Sequence, residues 1–380
     1  MPSGIENVLV TGGAGFIGSY IVDLLIEEGY NVIIFDNLEE QVHGSRQTPP
    51  EYLNPSAKFQ KRDLRVQEDL NEMLDDVDAI FHQAAAVGVG QSMYQITKYV
   101  HSNTLGTANL LDMLVNKEHN VKKLVVASSM SIYGEGRYTC EVCGSVAPEL
   151  RSNEQMKRNE WELRCPKCNK IATPAPTDEK KPLKPTSIYA MSKRHQEEMC
   201  LLIGKTYGIP TIALRYFNVY GPRQALSNPY TGVAAIFSSR ILNGNQPIIY
   251  EDGNMKRDFV HVKDIAIANL LALKSINAAY RAYNIGTGTY ITIKDLAKLI
   301  LEIYNSDISP VISKKFRIGD VRHCYADISL ARKYLEFSPE IELKEGLKDL
   351  LPWVKGLEKE KVIDKFETAE AELKKKGLTI

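Results

Sequence analysis

Three glycines spaced three apart constrain this chain more than any other feature: Val8-Leu9-Val10-Thr11-Gly12-Gly13-Ala14-Gly15-Phe16-Ile17-Gly18. Three apolar residues make a short buried strand, and the glycines open a helix behind it. Gly12 permits the tight turn, Gly15 leaves room for a pyrophosphate to approach the backbone, and Gly18 lets the helix pack close to the strands. The free N–H groups at that helix start favour a diphosphate. Glycine-rich loops are common as plain turns, so the flanks decide. A helix pattern runs over 19–28, and a second strand over 31–35 ends on Asp36. That spacing suits an acid that accepts from the ribose hydroxyls of a dinucleotide. An acid there repels a 2′-phosphate, which favours NAD over NADP.

The 380 residues, 44% of them hydrophobic, suffice for one large core or two modest ones. No run of 18 uncharged apolar residues exists, so no membrane span is expected. The start, Met1-Pro2-Ser3-Gly4, shows no export signal. Forty-seven basic residues balance 47 acidic ones, leaving no net field to recruit nucleic acid or anionic lipid. The expected compartment is the cytoplasm.

Strand and helix patterns alternate through the first half, as in a parallel sheet covered on both faces. Strands are predicted at 8–10, 31–35, 58–62, 79–82 and 123–127, and helices at 69–74 and 103–117, with a loop over 39–56. A small-residue segment, Gln83-Ala84-Ala85-Ala86-Val87-Gly88, follows the fourth strand, and Ser128-Ser129-Met130-Ser131 ends the fifth. The alternation breaks from 135 to 183, a charged segment with four cysteines and a proline-rich exit. It resumes with a helix over 189–207 and a strand over 211–216. Beyond a turn at 218–222 the pattern predicts a helix at 236–243 and strands at 247–250 and 259–262. A helix at 264–275 capped by Asp264 follows, then a strand at 282–285 rejoining the sheet and a helix from Thr292 through Tyr304. The last helix, 364–376, is charged around most of its surface and is expected to be a solvent-exposed flank. The fold class is therefore α/β. A Rossmann-like parallel sheet occupies 1–220 and carries the insertion 135–183. A smaller mixed substrate-binding lobe spans 221–350 and returns one strand to the sheet, and a helical tail covers 351–380.

Tyr189 and Lys193 are four apart, hence on one helix face. The spacing is frequent by chance, but here it follows a dinucleotide motif, with Ser129 at a strand end between them. A cationic Lys193 and an oxidised nicotinamide would both lower the tyrosine pKa from about 10 toward neutrality. The phenolate could then take a proton from a sugar hydroxyl while hydride leaves, with Ser129 bonded to the same oxygen.

Cys140-x-x-Cys143 and Cys165-x-x-Cys168, separated by 21 residues, fit a four-thiolate zinc ribbon. Four protein ligands fill a tetrahedral shell and leave no open position for chemistry, which favours a structural metal over a catalytic one; an iron–sulfur or redox role and unliganded thiols are the alternatives. The insertion is too short and polar for a core of its own, so a metal gives it a reason to fold. Its place after the fifth strand puts it near the substrate mouth. Cys200 and Cys324 read as small buried apolar residues, His82 as packing rather than a base, and His195 as facing the polar side of its helix. Arg257, Arg317 and Arg322, flanked by Asp258, Asp320 and Asp327, suit a sugar diphosphate through the guanidinium fork, or else a salt-bridged surface.

Several of these motifs in combination resemble the extended short-chain dehydrogenase/reductase family, and within it the nucleotide-sugar epimerases and dehydratases. They are the glycine turn from Thr11 to Gly18, Asp36-Asn37-Leu38, Asp63 and Tyr189-Ala190-Met191-Ser192-Lys193. The run from Leu214 to Arg223, the run from Arg257 to Asp264 and Arg317-Ile318-Gly319-Asp320-Val321-Arg322 complete the set. Only 135–183 falls outside the resemblance. It implies Ser129, Tyr189 and Lys193 as the catalytic trio, with Tyr189 as base and acid. It implies NAD contacts from Gly12, Gly15, Phe16, Ile17, Gly18, Asp36, Asn37, Asp63, Leu64, Asn103, Tyr189 and Lys193. Ser129, Asn218, Arg257 and Arg317 would hold a nucleotide-diphosphate sugar. A homodimer through a four-helix bundle, here near 101–117 and 189–205, is also implied.

Sugar 4,6-dehydratases of this family carry an Asp-Glu pair directly after the catalytic Ser or Thr. Met130 and Ser131 stand there instead. The resemblance therefore favours a 4-epimerase, working through a transient 4-keto sugar with tightly held NAD. Met130 beside the sugar would suit a 6-deoxyhexose such as dTDP-L-rhamnose, and zinc-ribbon-bearing relatives are described as deoxysugar 4-epimerases. A 4-keto-sugar reductase, a dehydratase or decarboxylase, and an NAD-binding interaction protein are the alternatives.

Overall fold

The computed structural model describes residues 4–45, 48–70, 74, 76–226, 228, 230, 232–356 and 364–380. Seven parallel strands form its central sheet. Their order is Arg281–Ile285, Thr211–Tyr216, Lys123–Ser129, Ala79–His82, Asn7–Thr11, Asn31–Asp36 and Lys58–Lys61. Val8 pairs with Val32 on one side and with Ala79 on the other. The chain thus reverses its travel across the sheet at the first strand, which opens a crevice at the carboxyl ends on either side of it.

Helices on both faces explain why the inner strands are buried almost throughout, while the edge strand Lys58–Lys61 is polar. On one face, Ile21, Val22 and Leu25 of the helix Phe16–Glu27 meet Ile265 and Ala268 of Val262–Lys274 over Val8 and Val10. On the other, Leu110 and Leu114 of Gly106–Asn116 join Cys200 of Ile188–Tyr207 over Leu9, Ile80, Leu124 and Val126. The first of these helices continues a run that starts earlier than its apolar pattern suggests, through Ile96–Tyr99 and a π-helical stretch, Val100–Leu105. Ile96 and Val100 are exposed, so they add nothing to an inward stripe. The expected loop 39–56 contains one helical turn, Glu40–His43. Of the helix predicted at 69–74, residues 67–70 form a 3-10 turn and 71–73 lie outside the described residues.

A second core is built by the helices Val233–Leu242, Ile293–Tyr304 and Leu343–Gly356 around Phe237, Ile249, Leu296, Ile300 and Leu350. The helix expected from Thr292 through Tyr304 is present, and Thr292 caps it by accepting from Asp295 N. Asp264 is not a cap. Its helix begins two residues earlier, where His261 accepts from Lys263 N, and the Asp264 carboxylate reaches across to the backbone N–H groups of Glu340 and Ile341 at 3.0 and 3.3 Å.

The last helix, Phe366–Lys375, is not a solvated flank. Phe366, Ala369 and Leu373 recur at helical spacing and are buried. Acids on and just before it find partners: Arg240 donates to Asp364 and Glu367 at 3.1 and 2.7 Å, and Tyr250 and Tyr230 donate to Glu370 and Glu372. The chain end then pairs antiparallel with Phe316 and Ile318. Among the described residues no helix is long and apolar enough to cross a membrane.

The insertion folds as a three-stranded antiparallel sheet with Arg137–Cys140 between Gly144–Val146 and Thr173–Ala175. Contrary to the polar reading it has a small core, in which Tyr138, Val146, Leu163 and Ala172 pack around Cys140 and Cys165. Its attachment is ionic. Arg151 forks onto Glu251 at 2.7 and 2.9 Å, and Arg322 binds Glu251, Asp252 and Glu162.

Candidate active site

A cavity of about 400 Å³ opens at the carboxyl ends of the strands, where the sheet reverses. The glycine turn forms its floor. Gly12 has φ +69°, and a Cβ there would lie 2.8 Å from the Ala84 backbone; one on Gly18 would lie 2.2 Å from Gly12 O. At Gly15 the nearest atom is 3.3 Å away, so the turn is closed against the protein and open toward the cavity. That cradle fits a diphosphate.

Asp36 lines the cavity with its carboxylate accepting from Leu38 N and Ala14 N at 2.9 and 3.1 Å. Burial pushes its pKa above the usual carboxylate range, against these bonds and nearby His43. Asn37 donates to Asp63 at 3.1 Å. Burial alone would raise Asp63, but the Arg65 fork and Asn37 outweigh it and hold the carboxyl below its ordinary value. Phe16, Ile17 and Leu64 complete this end of the wall.

At the other end stand Ser129, Tyr189, Lys193 and Asn218. Ser187 starts the tyrosine helix by accepting from Ala190 N, and Ser92 Oγ takes Tyr189 N–H at 3.0 Å, so Tyr189 is aimed by its own backbone. Burial raises the Tyr189 pKa, and a hydrogen bond from Ser129 opposes it. Lys193 differs from expectation: its ammonium donates to Gln196 Oε1 at 2.8 Å, and burial lowers its pKa to about 8. Gln196 lies one turn on, so the amide claims the ammonium first. It is in turn tied to Thr107 and His82. His82 is wholly enclosed, with its pKa pushed down to about 3 by burial and by Lys193, and is therefore a neutral anchor for Thr11 and Thr107. Cys200 and Cys324 are buried and His195 is exposed.

Three expected contact residues do not line this cavity. Asn103 is fully buried and clamps the small-residue loop, accepting from Ala86 N at 2.7 Å and donating to Ala86 O at 3.0 Å. It shapes the wall from behind. Arg257 turns to backbone carbonyls, those of Lys256 and Arg322 at 2.9 Å and that of Val321. Arg317 stacks 4.7 Å over the Tyr250 ring with its Nε buried and unpaired. Arg322 is not a ligand of the cavity but the centre of the ionic junction described above. Met130 also departs from expectation, packing inward on Tyr133, Phe217 and Cys324. No residue of 135–183 lines the cavity.

Sequence reasoning missed Gln196 and the buried pair of Glu197 with Arg215; Glu197 also accepts from Ser128 Oγ at 2.6 Å and so locks the fifth strand to the tyrosine helix. The available signal was position: Gln196 and Glu197 sit three and four residues beyond Lys193.

In the insertion the four Sγ atoms of Cys140, Cys143, Cys165 and Cys168 all lie within 4.8 Å of one another, and Cys140 and Cys168 are 3.4 Å apart. Bonds of about 2.3 Å to a tetrahedral ion require sulfurs about 3.8 Å apart, so the donor set fits zinc.

A reversing parallel sheet, a glycine turn and a tyrosine–lysine pair at one cavity define a dinucleotide-binding α/β protein. More narrowly, the chain belongs to the NAD dependent epimerase/dehydratase family, whose model matches residues 8–154 and 166–286. It is 33% identical over 351 residues to the dTDP-L-rhamnose 4-epimerase of Burkholderia thailandensis, covering 92% of this chain and 95% of that one. Among solved structures it resembles the UDP-glucose 4-epimerase of Thermotoga maritima with UDP-glucose, at TM-score 0.75 and 34% identity over 93% of this chain and all of that one. The UDP-glucose 4-epimerase of Thermus thermophilus in complex with NAD is similar at TM-score 0.72 and 29% identity, over 93% of this chain and all of that one.

Proposed function

We propose that this chain is an NAD-dependent nucleotide-sugar 4-epimerase. One observation carries the reading: Ser129, Tyr189 and Lys193 meet on the cavity that begins at the glycine turn, and no carboxylate lines that end of it, Glu197 being buried outside the lining on Arg215 and Ser128. The carboxylates among the described lining residues are Asp36 at the end of the second strand, and Glu39 and Asp63 in the segments that follow the second and third strands. Dehydration needs an acid and a base at the sugar, and Met130 and Ser131 supply neither.

Bound NAD would supply a reversible hydride acceptor. The protein's part is to hold and move protons. Tyr189 takes the proton of the sugar 4-hydroxyl and later returns it, Ser129 holds the same oxygen, and Lys193 contributes positive charge. The alanine loop 84–86, free of bulky side chains, leaves a 4-keto sugar room to turn before reduction on its other face. Gly12, Gly15, Phe16, Ile17 and Gly18 cradle the cofactor diphosphate, while Asp36, with Asn37, Asp63 and Leu64, receives its adenosine end. Asn103 acts through Ala86.

Asn218 is the substrate contact within the cavity. Arg257 and Arg317 are placed in this reading at the diphosphate beyond its wall. Three of the five N–H donors of Arg257 are engaged, and the buried Nε of Arg317 lacks a partner, which supports a ligand there. The substrate is a dTDP- or UDP-linked hexose. The Burkholderia relative supports a 6-deoxy sugar such as dTDP-L-rhamnose; Met130, which packs inward, does not.

The reading includes a structural zinc on Cys140, Cys143, Cys165 and Cys168. It includes a homodimer in the cytoplasm through the helices spanning 96–116 and 188–207, supported by the exposed Ile96, Val100, Leu105, Met191 and Leu202.

The test is mass spectrometry of small molecules released by denaturing the purified protein, then incubation with dTDP-, UDP- and GDP-sugars without added cofactor. Released NAD and a product isomer of unchanged mass are expected, with turnover lost in Tyr189→Phe. Loss of water would make the protein a dehydratase, and dependence on added reduced cofactor would make it a reductase.

A further inference from the structure

Ser131, two residues past Ser129, turns both of its donors onto Ser129. Its backbone N–H reaches Ser129 Oγ at 3.2 Å and its hydroxyl donates to the same oxygen at 2.9 Å. A serine hydroxyl offers two acceptor sites and one proton. The two incoming bonds fill both acceptor sites, and the proton is all that Ser129 has left to direct at the cavity.

The local fold holds this arrangement. Ser129 caps the 3-10 turn Met130–Tyr133, whose Ile132 and Tyr133 are buried. Tyr133 donates to Asn284 at 2.7 Å and receives Arg215 at 2.8 Å, so the turn cannot swing away from the strand end.

We propose that Ser131 is a positioning residue for the epimerisation: by saturating the acceptor sites of Ser129 it obliges Ser129 to donate to the Tyr189 oxygen. The inference rests on the reading in which Tyr189 is the base. A donated bond favours the phenolate, the form that accepts the sugar proton, and it acts against the burial that raises the Tyr189 pKa. No proton leaves Ser131 in either half of the cycle; the 4-hydroxyl proton passes to Tyr189 and returns from it. With the Ser131 hydroxyl gone, Ser129 can rotate and accept from the neutral phenol, which stabilises the wrong protonation state.

The experiment is the pH dependence of kcat and KM in Ser131→Ala, Ser131→Thr and Tyr189→Phe, each checked for folding by circular dichroism and for cofactor content. Loss of one neutral hydrogen bond is worth about a fivefold fall in kcat near neutral pH. In Ser131→Ala the rising limb of the profile moves to higher pH by up to about one unit, while KM for the nucleotide sugar stays unchanged. Ser131→Thr, which keeps the hydroxyl, restores both. A Ser131→Ala profile superimposing on the wild type, with Tyr189→Phe inactive, overturns this inference alone. A raised KM at unchanged kcat also overturns it, since Ser131 would then be acting on binding. Full turnover in Tyr189→Phe overturns the reading of the site itself.

Discussion

Replacing Glu251 by Gln tests what holds the insertion to the rest of the protein. The Arg151 and Glu251 side chains are each 1% exposed and Arg322 is fully buried, so two guanidiniums share one carboxylate away from water. Gln keeps the volume but removes the charge and turns an N–H toward a guanidinium that can only donate. Removing one partner of a buried ion pair costs about 3–5 kcal/mol, because the other charge is left uncompensated. Arg322 keeps Asp252 and Glu162, whereas Arg151 keeps hydrogen bonds to the carbonyls of Trp161 and Asp320, at 3.3 and 3.2 Å, and the attraction of the nearby buried Glu135 carboxyl. The lower figure, about 3 kcal/mol, is therefore the expectation. The assay is amide hydrogen exchange over residues 151–164, where that energy corresponds to roughly a hundredfold loss of protection. Glu162→Gln is the internal control. Its side chain is 38% exposed, so solvent screening cuts its effect to about 1 kcal/mol. Protection in Glu251→Gln within a factor of two of wild type would refute the argument and leave the strand pairing as the anchor.

Acid should loosen the same junction. Burial alone would raise the Glu162 pKa, yet the bonds from His323 and Arg322 pull it from 4.5 down to about 2. A depressed carboxyl stabilises the fold above its unfolded value and loses that contribution as pH falls through the folded one. Protection of 151–164 should therefore drop between about pH 4.5 and 2 in the wild type and less steeply in Glu162→Gln; parallel slopes would count against the assignment. Asp36→Ala should weaken NAD retention about tenfold and relax exclusion of the 2′-phosphate, read as cofactor content after purification with NAD or NADP; unchanged discrimination would remove Asp36 from that role. Cys140→Ser should lower the metal content from one zinc per chain and expose the insertion to protease, and a well-folded wild type without metal would end the zinc reading.

Much of the fold was legible because its signals are local. Apolar runs of three or four residues mark most strands of the parallel sheet, and the glycine turn marks where it begins. The helix expected over 189–207 begins within one residue of its predicted start, at Ile188. The misreadings share a cause. Asp264 has the residue type of a cap, but its helix starts two residues earlier. The final helix is charged around most of its surface, yet several of its acids answer partners such as Arg240, Tyr250 and Tyr230, more than 100 residues away. Met130 was judged by its neighbours in the chain, whereas the turn it belongs to points it at Phe217 and Cys324.

The sequence by itself determined the order of strands and helices, the cradle under the cavity and the residues Ser129, Tyr189 and Lys193 as candidates, since each depends on spacing within one element or at one strand end. Only the tertiary structure decided what the long polar side chains do. It turned Arg257 onto backbone carbonyls, set Arg322 among three acids, gave Lys193 to Gln196 and placed Asn103 behind the wall it shapes. A guanidinium or an amide reaches several ångströms in any direction and accepts partners from anywhere in the chain, so its role is settled by which carboxylates and carbonyls the fold brings within that reach.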